Sequence, residues 1–267
     1  MNQLIKNENT NESFGDLLRA FRKKNRISQL DLALDIDISS RHLSFVETGK
    51  SNPSRNLVLK IADNLKLPFR QRNALLLSAG YAPAFEELPF DGQRMGNVRD
   101  ALQRLLDNHN PYPAFVVNTG YKILMKNRAY DHFIKFYAGE AALEKYDNAI
   151  RLLFAEDGLQ PHVKNWPAIA HFLLIRLEEE AASTQNKELT ELYHELSQRK
   201  EVQIPIDLEM DMNFPVMRLT LEKESTKASF FTTISTLGTP LDLTTQEIRI
   251  ELLFPSDEVT KALSPLE

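Results

Sequence analysis

Residues 28–65 read SQLDLALDIDISSRHLSFVETGKSNPSRNLVLKIADNL, and the punctuation of this run decides the N-terminal fold. Ser28 is a good N-cap for a short helix containing Leu30, Leu32 and Ala33, because a seryl oxygen just outside a helix accepts from an otherwise unpaired N–H of its first turn. After Ile36-Asp37-Ile38, the pair Ser39-Ser40 opens another helix through about Glu47. Its Leu43 and Val46 face inward, while Ser40, Arg41, Ser44 and Phe45 face out. Gly49 then supplies the conformationally permissive residue that stops a helix. Ser54 caps the next one, with Leu57, Val58, Ile61, Ala62 and Leu65 as its apolar stripe. Outward from this run, Leu17, Leu18 and Phe21 recur at helical spacing between Phe14 and Asn25, and Arg70 to Ala79 reads as a fifth helix. Five short helices predict a compact all-α bundle.

Composition bounds the rest. A chain of 267 residues, 42% of them hydrophobic, is expected to form two domains, since domains usually run about 100 to 200 residues. It has no cysteine, which excludes a disulfide framework, thiolate-held zinc or iron–sulfur clusters, and thiol nucleophiles. No window approaches the roughly 18 to 20 apolar residues of a membrane span, and MNQLIKNENTNES lacks the apolar core of a signal peptide. A soluble, cytoplasmic protein with a disordered segment 1–13 is expected. The net charge of −5 hides an asymmetry: Phe14 to Ala82 holds twelve Lys/Arg against six Asp/Glu, whereas Pro83 to Glu267 holds nineteen against twenty-nine. A small basic domain beside an acidic one suits nucleic-acid binding, because cations replace the counterions condensed on phosphate.

The quoted run resembles the phage-repressor, or Xre-type, helix-turn-helix family, over Phe14 to about Tyr81, which makes a lambda-repressor-like domain of residues 14–82. The resemblance implies that Ser28 to Asp35 is the positioning helix and Ser39 to Thr48 the recognition helix, whose N-terminal residues reach base edges in the major groove. By the same resemblance Gln29 meets a phosphate, and Glu47 pairs with Arg22 to tie the recognition helix to the first. Arg41 is the leading base reader, because its fork can bond guanine O6 and N7 together, with a phosphate contact as the alternative. Ser39, Ser40 and Ser44 are placed to touch bases or phosphate, Phe45 to meet a thymine methyl or pack locally. Lys50, Ser51, Asn52 and Arg55 follow as phosphate contacts, and His42 is read as surface.

Pro83, Pro89 and Gly92 mark a connector over residues 83–96. Beyond it, Val98 to Asn108 reads as a helix and Ala114 to Val117 as a strand. Asn118-Thr119-Gly120 turns into a second strand over Tyr121 to Met125, a hairpin. Helices follow at Arg128 to Tyr137, Pro167 to Ala182 and Lys187 to Gln198. Strands are expected at Val202 to Met210, Val216 to Glu222, Ala228 to Ile234 and Ile248 to Phe254, then a last helix from near Ser256. A hairpin, a helical middle and several antiparallel strands is a PAS-like order. A second resemblance is carried by NPYPAFVV, KNRA, NAIRLLFAEDGLQPHVKNW and ISTLGTPLDLTTQEIRIELLFPSDEVT, which look like the ligand-binding domain of MmyB-like transcription regulators across almost all of residues 97–267. RHLSFVETGKSNPSR agrees with that family.

This resemblance implies an α+β, PAS-like domain with an antiparallel sheet and an apolar cavity for a long-chain, fatty-acid-like molecule. Residues available to line it are Phe115, Val117, Leu124, Phe133, Phe154, Trp166, Phe172, Phe230, Phe231 and Ile234, and Trp166 doubles as an aromatic anchor at a helix start. A carboxylate head group could be met by Arg128, Arg218 or Tyr121. The partners expected are a pseudo-palindromic DNA operator, a small apolar ligand and a second copy of the chain; no cofactor or metal is expected. An enzyme is the competing class, and its marks are missing: no P-loop, no GxSxG, no GxGxxG after a strand, and six histidines without metal-ligand spacing. The acidic run Glu178 to Glu180 reads as a solvated helix face, and Thr244-Thr245 before Gln246-Glu247 as turn and strand entry. A ligand-free assembly module is the other alternative for the C-terminal domain.

Overall fold

The computed structural model describes residues 13–184, 186–199 and 215–263. The chain divides into two units, one running to Glu87 and including Leu241–Leu243, the other formed by Leu88–Pro240 and the residues from Thr244 on. The first is the expected five-helix bundle: α1 (Phe14–Lys24), α2 (Gln29–Asp35), α3 (Ser40–Glu47), α4 (Arg55–Asn64) and α5 (Phe69–Ser78). Ser13, Ser28, Ser39 and Ser54 each accept from the backbone N–H three residues on, so a serine cap opens four of the five helices. All five close alike. Arg26, Asp37, Gly49, Lys66 and Gly80 are left-handed, and the next N–H returns to a carbonyl five residues back: Ile27 to Arg22, Ile38 to Ala33, Lys50 to Phe45, Leu67 to Ala62, Tyr81 to Leu76. In this closure the returning residue commonly packs inward. Ile27, Ile38, Leu67 and Tyr81 do so; after α3 the residue is Lys50.

Leu18, Phe21, Leu32, Leu43, Val46 and Ile61 are fully buried at the centre of the bundle. α1 crosses α3 so closely that a Cβ on Gly15 would lie 2.1 Å from the Glu47 carbonyl oxygen, a separation only glycine permits. Leu30 and Leu34 of α2 are turned outward, 56% and 68% exposed. Residues four apart share a helix face, and the buried face of α2 is the one holding Leu32, Ala33 and, past its end, Ile36. The first residues of the connector fold back on α5. The Asn73 carboxamide accepts from Ala84 and Phe85 N–H and donates to the Phe85 carbonyl, while Phe85 stacks on Phe69 with centroids 3.9 Å apart.

The second unit contains α6 (Gly96–Asn108), β1 (Ala114–Val117), β2 (Ile123–Lys126), α7 (Arg128–Ala138), α8 (Glu140–Lys145), α9 (Ala149–Phe154), α10 (Trp166–Thr184), α11 (Lys187–Ser197), β3 (Leu219–Lys223), β4 (Thr226–Ser235), α12 (Leu243–Glu247), β5 (Arg249–Pro255) and α13 (Glu258–Ala262). Its strands form one antiparallel sheet in the order β2-β1-β5-β4-β3. α8 and α9, six residues each, are too short to announce themselves by periodicity. The strand expected from Val202 to Met210 lies outside the described residues. Thr244-Thr245-Gln246-Glu247, expected as a turn, forms the short helix α12 instead.

The sheet is buried on both faces. Ala114 and Val116 of β1 and Ile250 of β5 pack with Leu102 and Leu106 of α6. Phe115, Val117 and Leu253 face the opposite way, into a larger core with α7, α9, α10 and α11. Alternation therefore puts Arg249, Glu251 and Leu253 on that second face. Two charged residues stand in the wall of an apolar core.

Candidate nucleic-acid interface and ligand cavity

Arg41 and Ser40 are exposed at the start of α3, with Ser44 and Phe45 half-buried one turn on. Ser39 is the cap, its Oγ accepting from the His42 N–H at 3.1 Å, and His42 is itself half-buried. The Arg41 guanidinium lies 5.3 Å and the Lys50 ammonium 5.8 Å from the centroid of the Phe45 ring, so one aromatic ring gathers two cations on the outer side of α3. Lys50 stands where the other four helices place an apolar residue. Asn52 and Arg55 are exposed and Ser51 is half-buried; Arg55 is the first residue of α4.

Behind this face Glu47, 4% exposed, joins three helices. Arg22 donates to both its oxygens, Nε to Oε1 at 2.8 Å and Nη2 to Oε2 at 3.3 Å. Gln29 donates Nε2 to Oε2 at 2.8 Å, and Arg19 Nη2 donates to the Glu47 carbonyl at 3.1 Å. Arg22 also holds the Ile27 carbonyl at the end of α1. The side-chain amide of Gln29 thus belongs to the anchor that fixes α3 against α1 and α2, a role the sequence reading did not include.

In the second unit a cavity of about 300 Å³ opens between the sheet and its helices, at the lower end of small-molecule sites, about 300 to 1,000 Å³. Phe115, Tyr130, Phe133, Ile169, Phe172 and Leu253 supply its apolar walls, and Tyr121, Arg176 and Glu251 its polar end. Next to that end, Glu180 accepts from Arg176 Nε at 2.9 Å, Arg249 Nη1 at 2.7 Å and the Tyr121 hydroxyl at 3.0 Å. The Tyr121 ring is flanked by both guanidinium groups, 5.6 and 5.5 Å from its centroid. Burial pushes the Glu180 carboxyl up, but the hydrogen bonds and charges of Arg249 and Arg176 outweigh it and hold the group below its ordinary value. Glu251 goes the other way: burial, reinforced by the Glu180 charge, raises it against the pull of Arg176 and Arg249. A second depression of about 420 Å³ is walled by charged side chains such as Arg151, Glu156, Asp157 and Arg199, and suits an apolar ligand less well.

Of the residues the sequence offered for a pocket, this cavity gathers Phe115, Tyr121, Phe133, Phe172 and Ile234. The others lie elsewhere. Leu124 packs toward α6 on the other face of the sheet, and Val117 is solid core. Phe154 and Trp166 are engaged edge-to-face at 4.8 Å, and Phe230 packs on Phe133. Neither expected cation reaches the cavity: Arg128 is exposed at the start of α7 beside His132, and the Arg218 carbonyl accepts from Asn165. The polar end is made instead by Arg176 and Glu251, with Glu180 and Arg249 next to them, none of which the sequence reading singled out; Glu180 was taken for a solvated face. One signal was present. In RIELLFP, residues 249, 251 and 253 fall on one face of a strand, and two charges aligned with a leucine break the alternation a half-buried strand should show.

Residues 98–266 match the family model described as MmyB-like transcription regulator ligand binding domain, and residues 18–71 match a helix-turn-helix model. Among curated proteins, the HTH-type transcriptional repressor RghR of Bacillus subtilis (strain 168) is 27% identical over 146 residues, which cover 51% of this chain and 99% of that protein.

Proposed function

Given that the chain belongs to the family of regulators with an MmyB-like ligand binding domain, headed by a helix-turn-helix, we propose that it is a DNA-binding switch whose second unit holds a small apolar ligand of fatty-acid-like chemistry. The observation that carries this is the cavity, with aromatic and aliphatic walls and a single charged end; an apolar tail with one polar head complements it. The antiparallel sheet order β2-β1-β5-β4-β3 supports a PAS-like reading of the unit.

On the DNA side, α3 lies in the major groove. Arg41 reads a base, Phe45 steadies Arg41 and Lys50, and Ser39, Ser40, Ser44, Ser51, Asn52 and Arg55 meet bases or backbone. Gln29 acts from the end of α2 and through Glu47. A homodimer sets two such helices roughly 34 Å apart and reads a pseudo-palindrome. Ligand occupancy alters operator affinity only as far as the ligand binds the two arrangements of the dimer unequally. The protein acts in the cytoplasm, without catalysis and without a cofactor.

Native mass spectrometry of the full chain, before and after denaturing extraction, tests the ligand reading. A dimer carrying a lipid-sized adduct released as a free amphiphile is the expected result. A dimer without adduct, unchanged by added fatty acid, would turn the second unit into an assembly module and leave the DNA-binding half intact.

A further inference from the structure

Arg176 and Glu251 line the polar end of the cavity, Arg249 and Glu180 stand next to it, and the hydrogen bonds of these two guanidinium groups and two carboxyls are divided unevenly. Glu180 receives both guanidiniums and the Tyr121 hydroxyl. Glu251 lies in the cavity wall at the middle of β5, opposite Phe115 of β1 and Ile234 of β4. It is 9% exposed, and its Oε1 is buried with no hydrogen-bond partner among the described residues. A buried carboxyl without a partner is costly to keep, far more so when ionised. Arg176, in the same end of the cavity, is bonded to Glu180 through Nε.

We propose that Glu251 makes ligand binding proton-linked: as a neutral acid it donates its O–H to an anionic head group whose charge Arg176 balances. The inference rests on the reading of this cavity as the ligand site. Charge decides the head group. With Glu251 protonated, Arg176, Arg249, Glu180 and Glu251 carry a single net positive charge, which one monoanion neutralises. With Glu251 ionised they carry none, and an anion entering the cavity would face a bare carboxylate. A cationic head group would face the Arg176 guanidinium. The groups packed around Glu251 leave it as the one that titrates: guanidinium groups do not deprotonate in proteins, the hydrogen bonds of Arg249 and Arg176 hold Glu180 of α10 below its ordinary value, and burial pushes the phenols of Tyr121 and Tyr130 up, so both stay neutral. Burial moves Glu251 itself up toward neutrality. Its proton comes from solvent and stays on the side chain. Above the pH at which Glu251 ionises in the empty protein, each anion bound therefore takes up one proton.

The test is isothermal titration of the full chain with dodecanoate and dodecan-1-ol from about pH 6 to 9, in two buffers of different ionisation enthalpy, for the wild type and Glu251→Gln. In the wild type the Kd for dodecanoate should rise about tenfold per pH unit above the Glu251 titration, with one proton taken up, while the Kd for the alcohol stays level. Glu251→Gln, neutral and still a donor, should bind dodecanoate with the same affinity across the range. A level wild-type profile without proton uptake overturns the inference, and that measurement needs no variant; so do coincident profiles for the two proteins. If neither probe binds either protein at any pH, the cavity is not a ligand site and the proposal falls with that reading.

Discussion

The two units each bury a glutamate, and they treat it in opposite ways. Glu47 in the helical unit is saturated: Arg22 grips both oxygens and Gln29 adds a third hydrogen bond. Glu251 in the sheet unit has an oxygen with nothing to bond among the described residues, although two guanidiniums are near enough to influence it. A carboxylate whose partners are complete can do nothing but hold its helices together. One left incomplete in a cavity wall raises the free energy of the empty protein and lowers it again when a donor or acceptor arrives, which is how binding sites differ from scaffolds.

The sharpest way to break this contrast is Glu47→Ala. It strands Arg22 and Gln29 in a half-buried site, and removing one partner of a buried pair costs about 3 to 5 kcal/mol. Denaturant unfolding should show the helical unit lost first; a change below about 1 kcal/mol, the range of surface pairs, would mean that the cluster is no anchor. Next in size, Arg41→Ala should weaken operator binding by about 1 to 3 kcal/mol at one base position. Gln29→Ala should weaken all sequences alike and also lower the stability of the helical unit by about 1 kcal/mol, the worth of an ordinary hydrogen bond. Binding competitions against single-base operator variants separate the two, and uniform loss for both would end the base-reading role of Arg41.

The smallest effect is a pH dependence. Glu251 is raised in the folded state, so its penalty is absent below the unfolded carboxyl value, about 4.3, grows as pH rises through it, and levels off above the folded value. Glu251→Gln should therefore match the wild type near pH 4 and melt progressively higher than it as pH rises toward 8. Glu180 has the opposite sign: it is lowered, so its contribution is present at neutral pH and lost as pH falls through the folded value. A Glu251→Gln advantage that shrank with rising pH would contradict the assignment.

Much of the helical unit was legible because its signals are local. Serine caps, leucine spacing and Gly49 act within one turn of helix, so three helix starts follow from Ser28, Ser39 and Ser54, while the cap at Ser13 was not read. The closures at Arg26, Asp37 and Lys66 were not legible, since nothing in those side chains demands a left-handed backbone. They adopt it because Ile27, Ile38 and Leu67 gain burial by turning back onto the core. Gly15 is similar: its necessity appears only when α3 crosses it.

By itself the sequence determined the five helices of the first unit and the outward placement of Ser40 and Arg41 on α3, because caps and periods are properties of neighbouring residues. In the sheet unit, tertiary structure alone decided which charges meet. Tyr121, Arg176, Glu180, Arg249 and Glu251 come from the β1–β2 turn, α10 and β5, separated by up to 128 residues along the chain where they bond. The cost of burying a charge is set by what else is buried beside it, and no spacing along the chain records that.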